Sequence, residues 1–233
     1  MDTGNSKINI SLFAIFVLVL VVSASSTADA QRSGRWGTTA GSTNESYFEG
    51  IEDERVLPML RYLPRKYGGR NVPAGNGRFL YDLIIEKGYK RGLEIGTSNG
   101  YSGLWIGLAL KQNGGKLITV EIDPRAAYEA RKNFEKAGLD DVIEVITGNA
   151  LIAIPEIRGD FDFVFIDAYK PEYKDYLRLV RHRVDRGGAI AAHNVTDRGR
   201  VMANFVEVIM NDQGLDTEIS RRHNMSVSTV TKK

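Results

Sequence analysis

The feature of the sequence that most restricts the possible folds is a repeated change of hydrophobic period after Lys90. Five short apolar runs have the length and composition of buried strands: Gly92–Ile95, Leu117–Ile122, Val142–Ile146, Phe161–Ile166 and Ala189–Ala192. Each run is followed by apolar residues at helical spacing, in Tyr101–Lys111, Arg125–Ala137, Leu151–Ile157, Tyr173–Val184 and Arg200–Asn211. Strands that alternate with helices predict an α/β fold, with a doubly wound, mostly parallel sheet and helices on both faces.

The segments on either side of this alternation extend the same domain. A helix is predicted over Glu52–Leu63, with Pro58 near its first turn, and a second helical pattern before Gly88, which closes it. After the fifth strand, Thr217–Ser220 and Met225–Val230 are two weak strands joined by a short polar turn. We expect them to form a closing hairpin, which makes at least one edge strand antiparallel.

The N-terminal segment has the pattern of a secretory signal peptide. Lys7 precedes the unbroken apolar run Leu12–Val22, and Ala28-Asp29-Ala30 supplies a cleavage site of the A-x-A type. We therefore expect a signal peptide over residues 1–30, a flexible tether over 31–45 and the folded domain over 46–233. Export to a bacterial periplasm or exterior is the expected localisation. An uncleaved membrane anchor is the alternative, although the run is shorter than the roughly 20 residues of a bilayer span.

Composition excludes several classes of protein. The chain of 233 residues contains no Cys, so it is not stapled by disulfides, and its formal net charge of +2 gives no electrostatic argument for nucleic acid. The basic clusters are expected to be solvated surface, because no nucleic-acid-binding motif accompanies them. No Ser-His-Asp arrangement or C-x-x-C motif supports a hydrolase or a redox enzyme.

The turn after the first predicted strand is suited to ligand binding. Gly96 and Gly100 allow a tight turn and close approach of the backbone to a ligand. The second strand ends at Glu121, whose carboxylate can accept hydrogen bonds from both hydroxyls of a ribose. The spacing G-x-x-x-G differs from the dinucleotide G-x-G-x-x-G and from the P-loop motif, so phosphate binding is not the expected use.

The stretch Leu93–Ser102 resembles motif I of class I S-adenosylmethionine (SAM)-dependent methyltransferases. The span from Asn71 to Lys232 resembles the catechol/caffeoyl-coenzyme-A type of O-methyltransferase. This resemblance implies a Rossmann-like seven-stranded sheet with an antiparallel last strand, and SAM as cofactor. It also implies cofactor contacts from Asn71, Val72 and Gly77, from Glu94, Gly96, Tyr101 and Ser102 at the methionine end, from Glu121 at the ribose, from Gly148, Asn149 and Ala150 at the adenine, and from Asp167.

The chemistry is predicted at the ends of the fourth and fifth strands. Asp167 follows the fourth strand, and His193 and Asn194 end the fifth, on the same side as the cofactor turn. Oxygen and nitrogen ligands there are compatible with a divalent metal. By the resemblance, the metal would chelate two vicinal hydroxyls, and Lys170 matches the general base. A metal or a desolvated lysine would help because a phenol is mostly protonated at pH 7 and its anion is the better nucleophile.

His193 departs from the family pattern, which has a carboxylate at this position. Imidazole is a poor ligand for magnesium and a good one for manganese, iron or zinc. Three alternatives follow: a softer metal, magnesium held by fewer protein ligands, or no metal. Outside a metal site, His193 is suited to proton transfer or to a hydrogen bond with the substrate. The other two histidines, His182 and His223, are expected at the surface.

The function expected from these patterns is SAM-dependent methylation of a hydroxyl on a small catechol-like aromatic. Lys170 and Asp167 are the expected catalytic residues. Two alternatives are a SAM-binding protein without activity and an NAD-dependent oxidoreductase, against which the missing G-x-G-x-x-G argues. The expected partners are the small hydroxylated aromatic and, in a homodimer, a second copy of the chain. No nucleic acid is expected, and no membrane contact beyond the N-terminal segment.

Overall fold

A computed structural model describes residues 44–67, 71–196 and 199–233 of the chain. The predicted signal peptide and nearly all of the predicted tether lie outside these residues. Among the residues described, no helix combines the length and the apolarity needed to cross a membrane.

The described residues form one seven-stranded sheet with helices on both faces. The strands are β1 (Arg91–Ile95), β2 (Lys116–Glu121), β3 (Ile143–Thr147), β4 (Phe161–Ile166), β5 (Val184–His193), β6 (Leu215–Ser220) and β7 (Met225–Val230). The helices are α1 (Val56–Tyr67), α2 (Ala74–Lys87), α3 (Tyr101–Gln112), α4 (Pro124–Ala137), α5 (Ala150–Glu156), α6 (Tyr173–Val180) and α7 (Gly199–Asn211). This architecture confirms the predicted α/β fold.

The sheet has the strand order β3-β2-β1-β4-β5-β7-β6. Strands β1 to β5 are parallel, whereas β7 pairs antiparallel with both β5 and β6. The predicted closing hairpin is therefore present, and its antiparallel strand β7 is inserted beside β5 while β6 forms the edge. Strand order reverses between β1 and β4, and ligands of such sheets bind beyond the carboxyl ends of strands at this point.

Alternate residues of the central strands pack into two hydrophobic layers, one on each face of the sheet. Phe163 and Phe165 of β4 face the layer formed with α1 to α4, and Val164 and Ile166 face the layer formed with α5 to α7. Because both faces of the sheet are covered, the central strands are apolar throughout rather than alternating, which is why they appear as short apolar runs in the sequence. Trp105 is fully buried in the first layer, as expected.

Several element boundaries differ from the sequence prediction. Helix α1 begins at Val56 rather than Glu52, because the Asp53 carboxylate accepts the backbone N–H groups of Arg55 and Val56 and caps the helix there. Helix α6 ends at Val180 rather than Val184, since Val184 already pairs with Phe161 in the sheet. Strand β5 then contains a bulge before Ala189, and this bulge concealed its first half in the sequence.

Candidate active site

Two adjoining cavities lie at the carboxyl ends of the strands, where the strand order reverses. One has a volume of about 430 Å³ and a mostly polar lining, and the other, about 470 Å³, is lined largely by apolar side chains. Both are bordered by Gly96, Ser98 and Asp167. We call them the polar cavity and the apolar cavity. Together they form one continuous site on either side of the turn that follows β1.

That turn is built by residues with left-handed backbone conformations. Gly96 has φ +100°, and a Cβ at this position would overlap the backbone carbonyl oxygen of Asp167. Gly100 has φ +89° and packs against the ring of Phe134. Ser98 lies between them with φ +50°. The two glycines are therefore required by backbone conformation and by close packing, as the spacing in the sequence predicts.

Glu121 is held in the apolar cavity by the backbone around it. Its Oε2 accepts the N–H of Ser98 at 2.7 Å, and its Oε1 accepts the N–H of Asp123 at 2.9 Å. The side chain is 9% exposed and borders the cavity. Each carboxylate oxygen accepts a single hydrogen bond here, so each keeps a lone pair for a ligand hydroxyl.

The far end of the apolar cavity is formed by the start of α5. Asn149 and Ala150 both line it, as predicted, and the Asn149 side chain accepts the backbone N–H of Leu151 to cap the helix. The exposed side chains of Ile122 and Tyr169 complete the cavity wall. This combination of apolar surface and a fixed carboxylate is suited to a nucleoside.

The cofactor contacts predicted between Asn71 and Ser102 divide into two groups. Val72, Tyr101 and Ser102 line the polar cavity together with Asn71. Glu94 and Gly77 line neither cavity: Glu94 is fully buried beneath the turn, where its Oε2 accepts the hydroxyl of Thr119 at 2.7 Å. A Cβ on Gly77 would overlap the indole of Trp105, so this glycine allows α2 to pack on α3.

Asp167, Lys170 and His193 meet in the polar cavity. Lys170 Nζ donates to Asp167 Oδ1 at 2.6 Å, and His193 Nδ1 lies 3.1 Å from Asp167 Oδ2. Burial raises the pKa of Asp167, but the hydrogen bond from His193 and the charge of Lys170 outweigh it, so this pKa lies below its ordinary value. The structure thus brings together the three side chains that the sequence placed at two separate strand ends.

Two of the three predicted metal ligands, Asp167 and His193, are already held by hydrogen bonds to protein groups. Both oxygens of Asp167 already accept hydrogen bonds, and the ring nitrogen of His193 that faces Asp167 acts as the donor of one of them. The other ring nitrogen lies 3.1 Å from Asn76 Nδ2, so both nitrogens of His193 are engaged by protein groups. Within residues 44–67, 71–196 and 199–233, no three His, Asp or Glu side chains are grouped to hold a metal. As arranged, Asp167, His193 and Asn194 do not fit the expected divalent cation.

Two polar residues of this region were missed by the sequence analysis. Asn76, in the first turn of α2, lies 3.1 Å from His193 through its Nδ2, and Tyr173 Oη lies within 3.2 Å of the carbonyl oxygens of Ile166 and His193. Neither residue belongs to a motif, so spacing gave no signal for them. His223 is also misassigned to the surface, since it is half-buried and stacks on Phe79 with ring centroids 4.5 Å apart.

Comparison with known proteins assigns this site to a family. Residues 52–228 match the family model described as O-methyltransferase. The catechol O-methyltransferase of Niastella koreensis is 37% identical over 158 residues, which cover 66% of this chain and 71% of that protein. The caffeoyl-CoA O-methyltransferase of Populus kitakamiensis is 36% identical over 64% of this chain and 67% of its own length.

Solved structures give the same assignment. The O-methyltransferase from Bacillus cereus in complex with SAH has a TM-score of 0.67 at 26% identity, covering 81% of this chain and 96% of that one. The O-methyltransferase TomG from Streptomyces achromogenes in complex with SAM also has a TM-score of 0.67, at 25% identity and the same coverage. These likenesses favour the expected methyltransferase over the oxidoreductase.

Proposed function

The chain belongs to the O-methyltransferase family and is a SAM-dependent methyltransferase, and from this premise we propose that it methylates a hydroxyl of a small catechol-like aromatic. The observation that carries the proposal is the meeting of the two cavities at Gly96 and Asp167, with Glu121 in one and Lys170 in the other. The relatives named for catechol and for caffeoyl-CoA support this class of acceptor.

The residues present fit SAM. Glu121 would hold the ribose hydroxyls, and Asn149 and Ala150 would flank the adenine in the apolar cavity. The Nδ2 group of Asn71 is buried beside the polar cavity without a hydrogen-bond partner among the described residues, so it offers a donor to the carboxylate of the methionine end. When bound, SAM supplies a sulfonium methyl carbon that accepts the electron pair of the attacking oxygen as its carbon–sulfur bond breaks.

Lys170 and Asp167 would prepare the acceptor hydroxyl. Once the ammonium of Lys170 has released its proton to solvent, the amine takes the hydroxyl proton, and the ammonium that re-forms stays paired with Asp167 at Oδ1. Asp167 thus stabilises the protonated lysine, and the ammonium stabilises the phenolate beside it. The remaining contribution is the alignment of the acceptor oxygen in the polar cavity. No step is assigned to a metal, because both oxygens of Asp167 and both ring nitrogens of His193 are bonded by protein groups.

The test is a comparison of Lys170→Met with Lys174→Met, a matched change at an exposed position of α6. With catechol as acceptor, we expect Lys170→Met to lower kcat by about 10²- to 10⁴-fold, the usual contribution of a general base, and to leave the calorimetric Kd for SAM unchanged. Lys174→Met should behave as the wild type. Equal kcat values for the two variants would remove Lys170 from the chemistry. A wild type that binds SAM and methylates none of catechol, its monomethyl ethers and simple phenols would contradict the proposed acceptor class.

A further inference from the structure

The imidazole of His193 is bonded by protein groups at both ring nitrogens. Nδ1 lies 3.1 Å from Asp167 Oδ2, and Nε2 lies 3.1 Å from Asn76 Nδ2. Asn76 and His193 are 5% and 8% exposed, so these contacts are largely shielded from water. Three elements meet in this chain of hydrogen bonds: α2 supplies Asn76, β5 supplies His193 and the end of β4 supplies Asp167.

The position of each proton follows from a further contact of Asn76. Its Nδ2 also donates to the backbone carbonyl oxygen of His223 at 2.7 Å, and a carbonyl can only accept, so the atom facing His193 is the amide nitrogen. The second amide hydrogen then points to His193 Nε2, which must be the unprotonated nitrogen. The ring proton therefore resides on Nδ1 and is donated to Asp167 Oδ2.

We propose that Asn76 is a positioning residue that holds His193 as the neutral Nδ1–H tautomer, and that this N–H donor orients Asp167 where relatives would use a metal ion. The proposal rests on the proposed function, because it concerns the same acceptor site. Asp167 Oδ2 is fixed by His193, so Oδ1 remains directed at Lys170. Asn76 donates to His193 and His193 donates to Asp167, and both donors are neutral. Because the charge of Asp167 is balanced by Lys170, this site needs no further cation.

Asn76→Asp tests the tautomer directly. The carboxylate is isosteric with the amide but cannot donate, so it should draw a proton onto Nε2, and the resulting imidazolium should compete with Lys170 for Asp167. The chain has three histidines, so nitrogen-15 NMR of the imidazoles, with His193→Asn as the assignment variant, can identify the His193 signals. We expect a protonated Nδ1 and a bare Nε2 in the wild type, and a protonated Nε2 in Asn76→Asp. A protonated Nε2 in the wild type would overturn the proposal.

Measurement of kcat separates a positioning role of Asn76 from a general loss of stability. We expect Asn76→Asp to lower kcat about 10- to 100-fold, the range for losing a group that orients a catalytic side chain, with the Kd for SAM unchanged. Asn113→Asp is the control, because the Asn113 amide also donates two hydrogen bonds, to the backbone carbonyls of Ile84 and Tyr89, away from both cavities. If Asn113→Asp lowers kcat as much as Asn76→Asp, the effect is destabilisation and the proposal fails.

The metal arm uses binding as well as activity. After treatment with a chelator, the wild type should keep its rate, and magnesium, manganese and zinc ions should leave its melting temperature unchanged. His193→Asp supplies a second carboxylate, so magnesium should stabilise that variant in the same assay. Stoichiometric metal in the wild type, or loss of activity on chelation that metal restores, would overturn the proposal. A wild type with the expected tautomer but no methyl transfer would instead contradict the proposed function.

Discussion

Glu94 carries a carboxyl group in an environment that opposes its charge. The side chain is fully buried beneath the cofactor turn. Burial raises its pKa from 4.5 to about 7, although hydrogen bonds from the hydroxyls of Ser102 and Thr119 partly offset this rise. The folded protein therefore retains this proton over a range of pH in which the unfolded chain has already released it.

The consequence is a specific dependence of stability on pH. Below pH 4.5 Glu94 is protonated in both states and costs nothing. As the pH rises from 4.5 to about 7, only the unfolded chain ionises, so the free energy of unfolding falls by an amount on the order of 3 kcal/mol. Glu94→Gln lacks this loss, and its stability relative to the wild type should rise over the same range in urea titrations.

The exposed Glu144 on β3 provides the control for this measurement. Glu144→Gln should follow the wild-type pH profile. A Glu94→Gln variant whose difference from the wild type is the same at pH 4.5 and pH 8 would show that the carboxyl of Glu94 titrates normally.

A second residue-scale prediction concerns cofactor binding. Glu121→Ala should weaken SAM binding by about 1–3 kcal/mol, the scale for losing charge-assisted hydrogen bonds. Glu121→Gln separates the two roles of the side chain, because the amide oxygen can still accept a backbone N–H while the charge is lost. Calorimetric titration with SAM, together with a melting curve for each variant, checks both. Wild-type affinity in a folded Glu121→Ala protein would exclude Glu121 from the site.

Position along the strands made part of this site predictable. Glu121, Asp167 and His193 each stand at the end of an apolar run, and parallel strands bring their carboxyl ends to one edge of the sheet. The hydrogen bond between Asn76 and His193 joins residues 117 positions apart, and it depends on how far α2 reaches across the end of β5. No local pattern in the sequence encodes that distance, so the metal hypothesis could not be decided there.

At the scale of elements, two glycines with similar backbone conformations make a matched comparison. Gly88 ends α2 with φ +68°, and a Cβ there would have no atom within 4 Å. Gly96 begins the cofactor turn, where a Cβ would overlap the Asp167 carbonyl. Gly88→Ala should cost about 1–2 kcal/mol in the free energy of unfolding, the cost of a left-handed conformation, and leave SAM affinity unchanged.

Gly96→Ala should affect the binding site as well as stability, unlike Gly88→Ala, because the added methyl group forces β1 and β4 apart at the site. We expect a larger loss of stability than in Gly88→Ala and a loss of detectable SAM binding by calorimetry. Equal stabilities and equal SAM affinities in the two variants would show that the backbone of the turn yields at little cost.

Some element boundaries can be predicted from the local sequence alone, and others cannot. Gly88 closes α2 where predicted, since a left-handed C-cap depends on a few neighbouring residues. The first half of β5 is not predicted as strand: Val184 falls in the predicted helix and residues 185–188 in no element, because a strand interrupted by a bulge loses the regular alternation of side chains. A Cβ at Gly188 would lie 2.7 Å from the Asp162 carbonyl oxygen. The bulge therefore depends on close packing against β4, which the local sequence does not show.

At the scale of the whole molecule, Arg181 ties the end of α6 to the C-terminal hairpin. Its guanidinium donates to both carboxylate oxygens of Asp212, at 2.8 and 3.1 Å, and to the carbonyl of Lys232 at 2.9 Å. The side chain of Arg181 is 9% exposed and that of Asp212 is 29% exposed. The hydrogen bond from Arg181 lowers the pKa of Asp212 below its ordinary 3.8, so this contribution is lost as the pH falls below 3.8.

Removing this guanidinium should loosen the hairpin. Because Asp212 is partly solvated, we expect Arg181→Met to cost about 2 kcal/mol, between the values for exposed and buried ion pairs. Arg178→Met, which removes an exposed pair with Asp175 on the same helix, should cost ~0.5 kcal/mol or less. Urea denaturation at pH 7 measures both. Arg181→Met with the stability of Arg178→Met would show that the hairpin is held by strand pairing alone.

The fold class could be predicted from the sequence, because strand patterns that alternate with helical patterns are compatible with few arrangements of the elements. The position of β7 could not, since inserting a late strand between β5 and β6 is a property of the whole sheet. The pattern of the last two strands predicted a hairpin with an antiparallel edge, and the resemblance to a family added that the last of seven strands is antiparallel.

The insertion of β7 also sets the order in which the enzyme can become active during its synthesis. A ribosome that has released residues up to Ser220 has produced β5 and β6, but the edge of β5 that ends at His193 still lacks the strand that pairs with it. The carbonyl of His223, which orients Asn76, has also not yet emerged. The nascent chain therefore lacks a complete site until β7 has been made, because β7 is the strand that joins β6 to β5 and follows the carbonyl that orients Asn76.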